Sequence, residues 1–179
     1  MKFRETPLAG AMVVELDRIE DERGFFARSF CEKEFAAKGL ASRFVQCNVS
    51  FNKKAGTLRG MHFQIAPHEE DKLVRCTMGA IHDVIVDIRK NSPTYLRSFA
   101  LELSAENRIC LFVPRGFAHG FQTLKDDSEV FYQMSEVFDP ACAGGLRWDD
   151  PALGLKWPLP HPVLSDKDSG YPLLGRNPG

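Results

Sequence analysis

The chain is dominated by short runs of β-branched and aromatic residues with turn-forming residues between them. Runs of this length with glycine, proline, asparagine and aspartate between them are typical of β-strands. Many such strands in succession favour an antiparallel sandwich or a closed barrel over alternating strands and helices. The sequence therefore predicts a mostly β fold. The predicted strands are residues 12–16, 25–30, 44–51, 57–64, 72–77, 80–88, 98–103, 109–113, 118–124 and 128–138.

Two local signals qualify this pattern. Residues 31–39, CEKEFAAKG, have a helical composition and end in Gly39, which suits a left-handed helix cap. Gly79 separates the predicted strands 72–77 and 80–88, so these strands are expected to pair as a hairpin.

Length and composition indicate one globular domain that spans residues 1–179, because the chain has 179 residues and is 44% hydrophobic. From residue 139 onward the strand pattern stops and proline and glycine become frequent. Since this region also contains tryptophan and leucine, residues 139–179 are expected to form an ordered wrap over the β-structure rather than a disordered tail.

Charge and cysteine content exclude several classes of function. The net charge of -1 provides no basic surface for nucleic acid, and we see no apolar run long enough to cross a bilayer. The amino terminus lacks the apolar core of a signal peptide, so a cytoplasmic location is expected. The five cysteines are widely spaced without a CxxC motif, which predicts free thiols rather than a disulfide framework or a zinc ribbon.

The segment GTLRGMHFQ, residues 56–64, places polar side chains in a predicted core strand. Strict alternation puts His62 on one face and Arg59 on the other. Both side chains can serve one cavity only if the strand is irregular, and Gly60 is the residue that would permit a bulge. The alternative is that Arg59 ends in solvent and His62 is a hydrogen-bonded core histidine.

Other polar residues in apolar strands allow two interpretations each. Lys72 either lines a cavity or lies at a strand end with its ammonium in water. Tyr132 is either a pocket residue or a core tyrosine bonded to backbone. His119 lies in a different apolar strand from His62, and two histidines in separate strands are a recurring way to line a pocket. Asp83 and Asp87 share one strand face, where they either orient a histidine or meet solvent.

Several short motifs follow one another along most of the chain. They are RGFF (23–26), GTLRGMHFQ (56–64), KLVR (72–75), DVIVDIR (83–89), SPTY (92–95), LSAEN (103–107), VPRGFAHGF (113–121), WDDP (148–151) and LSDKD (164–168). Together they resemble the dTDP-4-dehydrorhamnose 3,5-epimerase family of sugar-nucleotide enzymes. The resemblance implies a cupin-type jelly-roll β-barrel with a few short helices, a homodimer with exchange of N-terminal strands, and an isomerase that needs no cofactor and no metal.

The resemblance also implies the reaction, which is epimerisation of a nucleotide-linked 4-keto-6-deoxy sugar at C3 and C5. The 4-keto group acidifies both hydrogens, and an imidazole is a suitable base near neutral pH. His62 matches the base, Asp168 its carboxylate partner and Tyr132 the proton donor on the opposite face. Lys72, with His119, would stabilise the oxyanion. The substrate-binding residues implied in this way are Arg23, Arg59, His119, Phe138, Gln46, Asn48 and Lys167.

Three positions depart from the family pattern on its nucleotide side. Arg28 stands where a glutamate is usual, Phe138 where a tyrosine stacks on the base, and Ala143 where another glutamate occurs. These departures leave the nucleotide and the exact sugar open.

Other functions are also open at this stage. An epimerase that acts only at C3 and a ketoisomerase on a related substrate remain alternatives. A sugar-nucleotide-binding protein without catalysis would not need a base, its carboxylate partner and an acid. A metal-dependent cupin is less favoured, because its HxH pair would place a second histidine where this chain has Gln64.

Overall fold

The computed structural model describes residues 1–174, which form antiparallel strands and two short helices. The mostly β prediction is therefore confirmed. The strands are β1 Lys2–Glu5, β2 Met12–Glu15, β3 Arg18–Asp21, β4 Gly24–Ala27, β5 Gln46–Asn52, β6 Leu58–Gln64, β7 Lys72–Met78, β8 Ala80–Asp87, β9 Ser98–Ser104, β10 Cys110–Val113, β11 Phe117–Thr123, β12 Ser128–Met134 and β13 Ala143–Gly145. The helices are α1 Glu32–Ala36 and α2 Asp166–Ser169.

Two sheets make up the body of the molecule. The larger has six strands in the order β1-β2-β10-β7-β12-β5, and the smaller has five in the order β13-β6-β11-β8-β9. Strands β3 and β4 form a separate hairpin. Over residues 1–174 the strands thus form two separate sheets and not one closed barrel. The main core lies between them, with Val13 and Val74 from the larger sheet packed with Ile85 and Phe121 from the smaller.

The predicted helix is present as α1, which begins after Cys31, and Gly39 adopts a left-handed conformation with φ of +70°. Phe35 is the buried side chain of this helix and packs in an aromatic cluster with Phe3 and Phe30. No helix within residues 1–174 has the length and apolar character needed to cross a membrane.

The hairpin expected at Gly79 is wrong. β7 belongs to the larger sheet and pairs with β10 and β12, whereas β8 belongs to the smaller sheet and pairs with β9 and β11. A hairpin loop ordinarily needs at least two residues, and only Gly79 separates these strands. With φ of +73°, Gly79 instead turns the chain from one sheet to the other, and Ser128 occupies the space that a side chain there would need.

The carboxyl-terminal region lies against the smaller sheet. β13 pairs with β6, and Val163 exchanges backbone hydrogen bonds with Gly56 and Leu58. Leu153 and Trp157 pack with Val84 and other residues on the face of the sheet that points away from the main core. These contacts place α2 beside β6, where Asp168 meets His62. The last part of the predicted wrap, residues 175–179, lies outside the described residues.

Candidate active site

A cavity of about 680 Å³ opens between the two sheets. Its walls come from β5, β7 and β12 of the larger sheet, from β6 and β11 of the smaller sheet, and from the segment around α2. Most of the residues singled out in the sequence line this cavity, although they lie far apart in the chain. These residues are Gln46, Asn48, Arg59, His62, Lys72, His119, Tyr132, Phe138, Lys167 and Asp168.

A bulge in β6 brings Arg59 and His62 to the same cavity. His62 is opposite His119 on β11, but Arg59 is opposite Phe121, so β6 has one more residue than β11 in this interval. Gly60 lies within the bulge with φ of +142°, and the backbone of Gly120 stands where a β-carbon at position 60 would be. The irregularity expected at Gly60 is therefore present, and only glycine fits it.

His62 forms a close pair with Asp168, with 2.6 Å between Nε2 and Oδ1. The His62 side chain lines the cavity and is 40% exposed, whereas that of Asp168 is 6% exposed. Asp168 lies in α2, whose N-cap residue Ser165 accepts a hydrogen bond from the Asp168 backbone N–H at 3.1 Å. Because the carboxylate accepts a hydrogen bond from Nε2–H, Nδ1 is left as the basic nitrogen of a neutral His62.

The charged form of Asp168 is favoured by its neighbours. Burial by itself would raise the pKa of this carboxyl group, but hydrogen bonds from His62, Ser165 and the backbone of Gly60 outweigh it, and the pKa is lowered. An ionised Asp168 fixes the tautomer of His62 and stabilises the imidazolium that forms when His62 takes up a proton.

A second histidine–carboxylate pair lies beside the first. Nε2 of His119 is 2.8 Å from Oδ1 of Asp83, which is fully buried on β8. Of the two interpretations left open for Asp83, the structure therefore supports the one in which it orients a histidine. Asp87, on the same strand, instead accepts hydrogen bonds from the loop residues Arg89, Ser92 and Thr94.

The larger sheet contributes Lys72 and Tyr132 to the opposite wall. Lys72 is buried and forms an ion pair with Glu70, with 2.9 Å between Nζ and Oε1. The interpretation that places this ammonium in water at a strand end is therefore wrong. Burial raises the pKa of the Tyr132 phenol, although the positive charge of Arg59 opposes this in part, so the phenol stays protonated and able to donate.

Further polar side chains hydrogen-bond to one another along the cavity wall. Nε of Arg59 donates to Oδ1 of Asn52 at 2.7 Å. Gln46 donates to Oδ1 of Asn48 at 3.2 Å and accepts a hydrogen bond from the Phe138 backbone N–H at 3.0 Å. These contacts hold Arg59 and Phe138 at the cavity wall.

Two residues from the amino-terminal region do not reach this cavity. Arg23 lies at the tip of the β3–β4 hairpin, where its side chain is 89% exposed and pairs with Asp21. Arg28 is exposed as well and pairs with Glu34 at 3.2 Å. By contrast Phe138 and Ala143, the other two departures from the family pattern, both line the cavity.

Sequence reasoning missed several residues of the site. Glu70 was not considered, because it precedes the strand and lies between two other acidic residues, as a solvated charge would. Ser165 carries a usable signal, since Ser-x-x-Asp is a capping pattern. Tyr171, whose ring centroid is 6.1 Å from that of His62, lies in a region without strand or helix pattern and had no signal.

Comparison with known proteins assigns the chain to a family. The family model described as dTDP-4-dehydrorhamnose 3,5-epimerase matches residues 5–176. A dTDP-4-dehydrorhamnose 3,5-epimerase of Sinorhizobium fredii is 44% identical over 175 residues, which cover 97% of this chain and 90% of that protein.

Solved structures agree with this assignment. The enzyme of the same name from Bacillus anthracis, solved with TDP and PPi bound, has a TM-score of 0.94 at 44% identity and covers 97% of this chain and 99% of that one. A 3,5-epimerase of Legionella pneumophila in complex with dTDP-4-keto-L-rhamnose has a TM-score of 0.90 at 36% identity, with 96% and 92% covered. The fold is that of these cupin-like epimerases, and the chain belongs to the dTDP-4-dehydrorhamnose 3,5-epimerase family.

Proposed function

We propose that the protein epimerises a dTDP-linked 4-keto-6-deoxy sugar at C3 and C5. One observation supports this most directly. The candidate base His62 and the candidate acid Tyr132 line the same cavity from different sheets, β6 in the smaller sheet and β12 in the larger. Inversion at carbon requires a proton to leave on one face of the sugar and to return on the other, and groups on two opposing walls meet that requirement.

The first step is removal of a proton by His62. Nδ1 accepts the proton from C3 or C5 while Nε2 keeps its hydrogen bond to Asp168. The lowered pKa of Asp168 keeps this carboxylate ionised next to the new imidazolium. A positioned general base of this kind typically contributes a factor of about 10²–10⁴ to the rate.

Loss of the proton places negative charge on the sugar O4. Lys72 and His119 approach the cavity from different sheets and both are nearly buried, so they can stabilise this charge where water is largely excluded. Because Nε2 of His119 is hydrogen-bonded to Asp83, its Nδ1 can donate to O4 only in the imidazolium form. One such donor commonly changes the rate by about 10²–10³.

Reprotonation on the opposite face is assigned to Tyr132. Its pKa is raised by burial, so at neutral pH the phenol is protonated and can deliver its proton to the enolate carbon. Reprotonation of the enolate at that carbon then inverts its configuration. Before the next turnover His62 releases its proton to solvent, and the Tyr132 phenolate takes up a proton from solvent.

The rest of the substrate is assigned to the outer part of the cavity. Arg59 and Lys167 carry positive charge for the diphosphate, and the Phe138 ring can stack on the nucleotide base. Arg23 does not lie in this cavity within one chain. Under a homodimer with exchanged N-terminal strands, the β3–β4 hairpin would carry Arg23 to the partner's cavity.

Exposed apolar residues support the homodimer. On the β3–β4 hairpin Ile19 is 69% and Phe26 71% exposed, and on the edge strand β5 Val49 is 61% exposed. Such side chains are typical of surfaces covered by a second chain. We further propose that residues 1–179 form one catalytic domain, with residues 139–179 wrapped over it, and that the enzyme acts in the cytoplasm.

Two alternatives remain distinguishable. An enzyme specific for C3 would use the same base but leave the C5 hydrogen in place. A metal-dependent cupin has less support, because the cavity histidines each hold a carboxylate through Nε2 and the Gln64 side chain is bonded to the backbone of His68 and Asp139.

The test is proton NMR of the enzyme with dTDP-4-keto-6-deoxyglucose in deuterium oxide. Loss of the signals at both C3 and C5 is expected for the wild type, whereas loss at C3 alone would indicate a monoepimerase. Retention of both signals would contradict the proposed reaction.

The variant Tyr132→Phe tests the assignment of the acid. Proton exchange should continue, because His62 can return a deuteron on its own face, while formation of epimerised product falls by about 10²–10⁴. Tyr95→Phe, an exposed tyrosine outside the cavity, serves as the matched control and should behave as the wild type. Product formation at the normal rate by Tyr132→Phe would remove Tyr132 from the mechanism.

A further inference from the structure

Outside the catalytic cavity, three side chains bring metal-binding atoms together. His68 lies in the loop between β6 and β7, and Asp139 and Cys142 lie in the turn between β12 and β13. Nε2 of His68, a carboxylate oxygen of Asp139 and Sγ of Cys142 all lie within 4.8 Å of one another. Among residues 1–174, this is the only group of three or more histidine, cysteine and carboxylate side chains with such spacing.

The distances suit a tetrahedral ion. Nε2 of His68 is 3.4 Å from Oδ2 of Asp139, and Sγ of Cys142 is 3.9 Å from the same oxygen. Zinc bonds of roughly 2.0–2.3 Å at tetrahedral angles separate neighbouring ligand atoms by about 3.3–3.8 Å. The three atoms therefore already stand close to the positions that they would take around one zinc ion.

A carboxylate also lies near the second nitrogen of His68, Nδ1. Nδ1 is buried without a hydrogen bond, and Oε1 of Glu136 is 3.7 Å away. Histidines that bind a metal through one nitrogen usually donate the other N–H to a carboxylate, which orients the ring. A small movement of Glu136 would complete that hydrogen bond.

The backbone around these ligands is held in place by Gln64, which is 5% exposed. Its side chain donates to the carbonyl of His68 at 2.8 Å and accepts from the backbone N–H of Asp139 at 2.6 Å. Oδ1 of Asp139 accepts from the Ala141 N–H at 2.8 Å, so Oδ2 is the oxygen that faces His68 and Cys142. Both loops are thus fixed to each other before any ion binds.

We propose that His68, Asp139 and Cys142 bind a zinc ion, with water as the fourth ligand and Glu136 orienting His68. Imidazole and thiolate together favour zinc over magnesium or calcium, which prefer oxygen ligands alone. Binding converts the Cys142 thiol to a thiolate and releases one proton to solvent. A neutral imidazole, one thiolate and one carboxylate then balance the charge of the ion.

The site adjoins the catalytic cavity without being part of it. Phe138 directly precedes Asp139, Ala143 directly follows Cys142, and both flanking residues line the cavity. A bound ion would fix this wall, while the proposed bases and acids lie elsewhere. The inference goes beyond the proposed reaction and does not depend on it.

Cobalt(II) titration of the full-length protein, stripped of metal by a chelator, tests the site. We expect one ion per chain, with a thiolate-to-cobalt charge-transfer band and the intense visible bands of a four-coordinate ion, both removed when zinc is added. Cys142→Ser should abolish the charge-transfer band, and the exposed thiol variant Cys47→Ser should retain it. Glu136→Gln should weaken binding about 10–100-fold.

Zinc should also raise the melting temperature of the wild type and of Cys47→Ser, because a ligand that binds only the folded state stabilises it. The melting temperatures of Cys142→Ser and His68→Gln should not change, because each variant lacks one of the proposed ligands. The proposal is overturned if the wild type shows no charge-transfer band, if the band survives in Cys142→Ser, or if Cys47→Ser abolishes it. Catalytic failure of the wild type would bear only on the proposed reaction, since none of these measurements uses substrate.

Discussion

The two histidine–aspartate pairs in the cavity have similar distances but different surroundings. His62 and Asp168 are 2.6 Å apart, with side chains 40% and 6% exposed, whereas His119 and Asp83 are 2.8 Å apart, with side chains 10% and 0% exposed. Asp83 comes from β8, inside the smaller sheet, while Asp168 comes from a helix of four residues in the carboxyl-terminal segment.

This difference agrees with the proposed roles, which are proton transfer for His62 and charge stabilisation for His119. A base must meet substrate and exchange its proton with water, so the exposure of His62 suits this role. Its partner Asp168 lies on the short helix α2, which contacts β6. A group that stabilises an oxyanion works best when fixed and shielded from water. His119, held by a fully buried carboxylate between two sheet strands, meets that description.

The largest effect is expected when the base is removed. His62→Asn should lower substrate hydrogen exchange by up to about 10⁴, because it removes the proposed general base. His119→Asn should lower the same rate by about 10²–10³, as expected for loss of one oxyanion donor. Both rates are measured by deuterium incorporation, and a greater loss in His119→Asn would reverse the assigned roles.

Replacing the two carboxylates should separate catalysis from stability. Asp168→Asn should reduce kcat about 10–100-fold, as removal of a histidine-orienting partner does, with a smaller loss of unfolding free energy than Asp83→Asn. Asp83→Asn should lower the unfolding free energy by about 1–3 kcal/mol, because it disturbs a buried hydrogen bond. Steady-state kinetics and urea unfolding of both variants measure these two effects. Equal destabilisation of the two variants would contradict the expected difference between the two carboxylates.

Acid stability should depend on Asp168. Because its folded-state pKa is lowered below the unfolded value, its contribution is fully present above the normal carboxyl range and is lost as the pH falls through the folded-state pKa. Asp168→Asn should therefore lose less stability than the wild type on acidification. Urea unfolding at several acidic pH values tests this, and parallel curves for the two proteins would contradict it.

The smallest effect is expected at the N-cap of α2. Ser165→Ala removes the hydrogen bond to the Asp168 backbone and should weaken that helix end by about 1 kcal/mol. Turnover should fall only a few-fold, through looser placement of Asp168, and Ser165→Asp should restore it. A Ser165→Ala loss as large as that of Asp168→Asn would mean that Ser165 acts on the substrate itself.

The strand pattern and the helix were predictable, because they depend on local composition and period. The bulge in β6 was also predictable, since a glycine lies between two polar residues that strict alternation sends to opposite faces. The prediction of a hairpin at Gly79 was wrong because the path of the chain there depends on tertiary packing and not on local sequence. A single glycine between strands permits either a tight return or a passage to another sheet, and only the packing of both sheets around Ser128 selects the second.

By itself, the sequence determined the mostly β class, the family and the residue types needed for the proposed reaction. These features depend on the identity of the residues and on the order of the motifs, which are properties of the sequence alone. The family resemblance already indicated Asp168 as the partner of His62, 106 positions away, whereas only the tertiary structure decided that Asp83 holds His119 across 36 positions. The tertiary structure also brought His68 to Cys142. Contacts between distant segments depend on how the sheets and the carboxyl-terminal region pack, and spacing along the chain does not encode them.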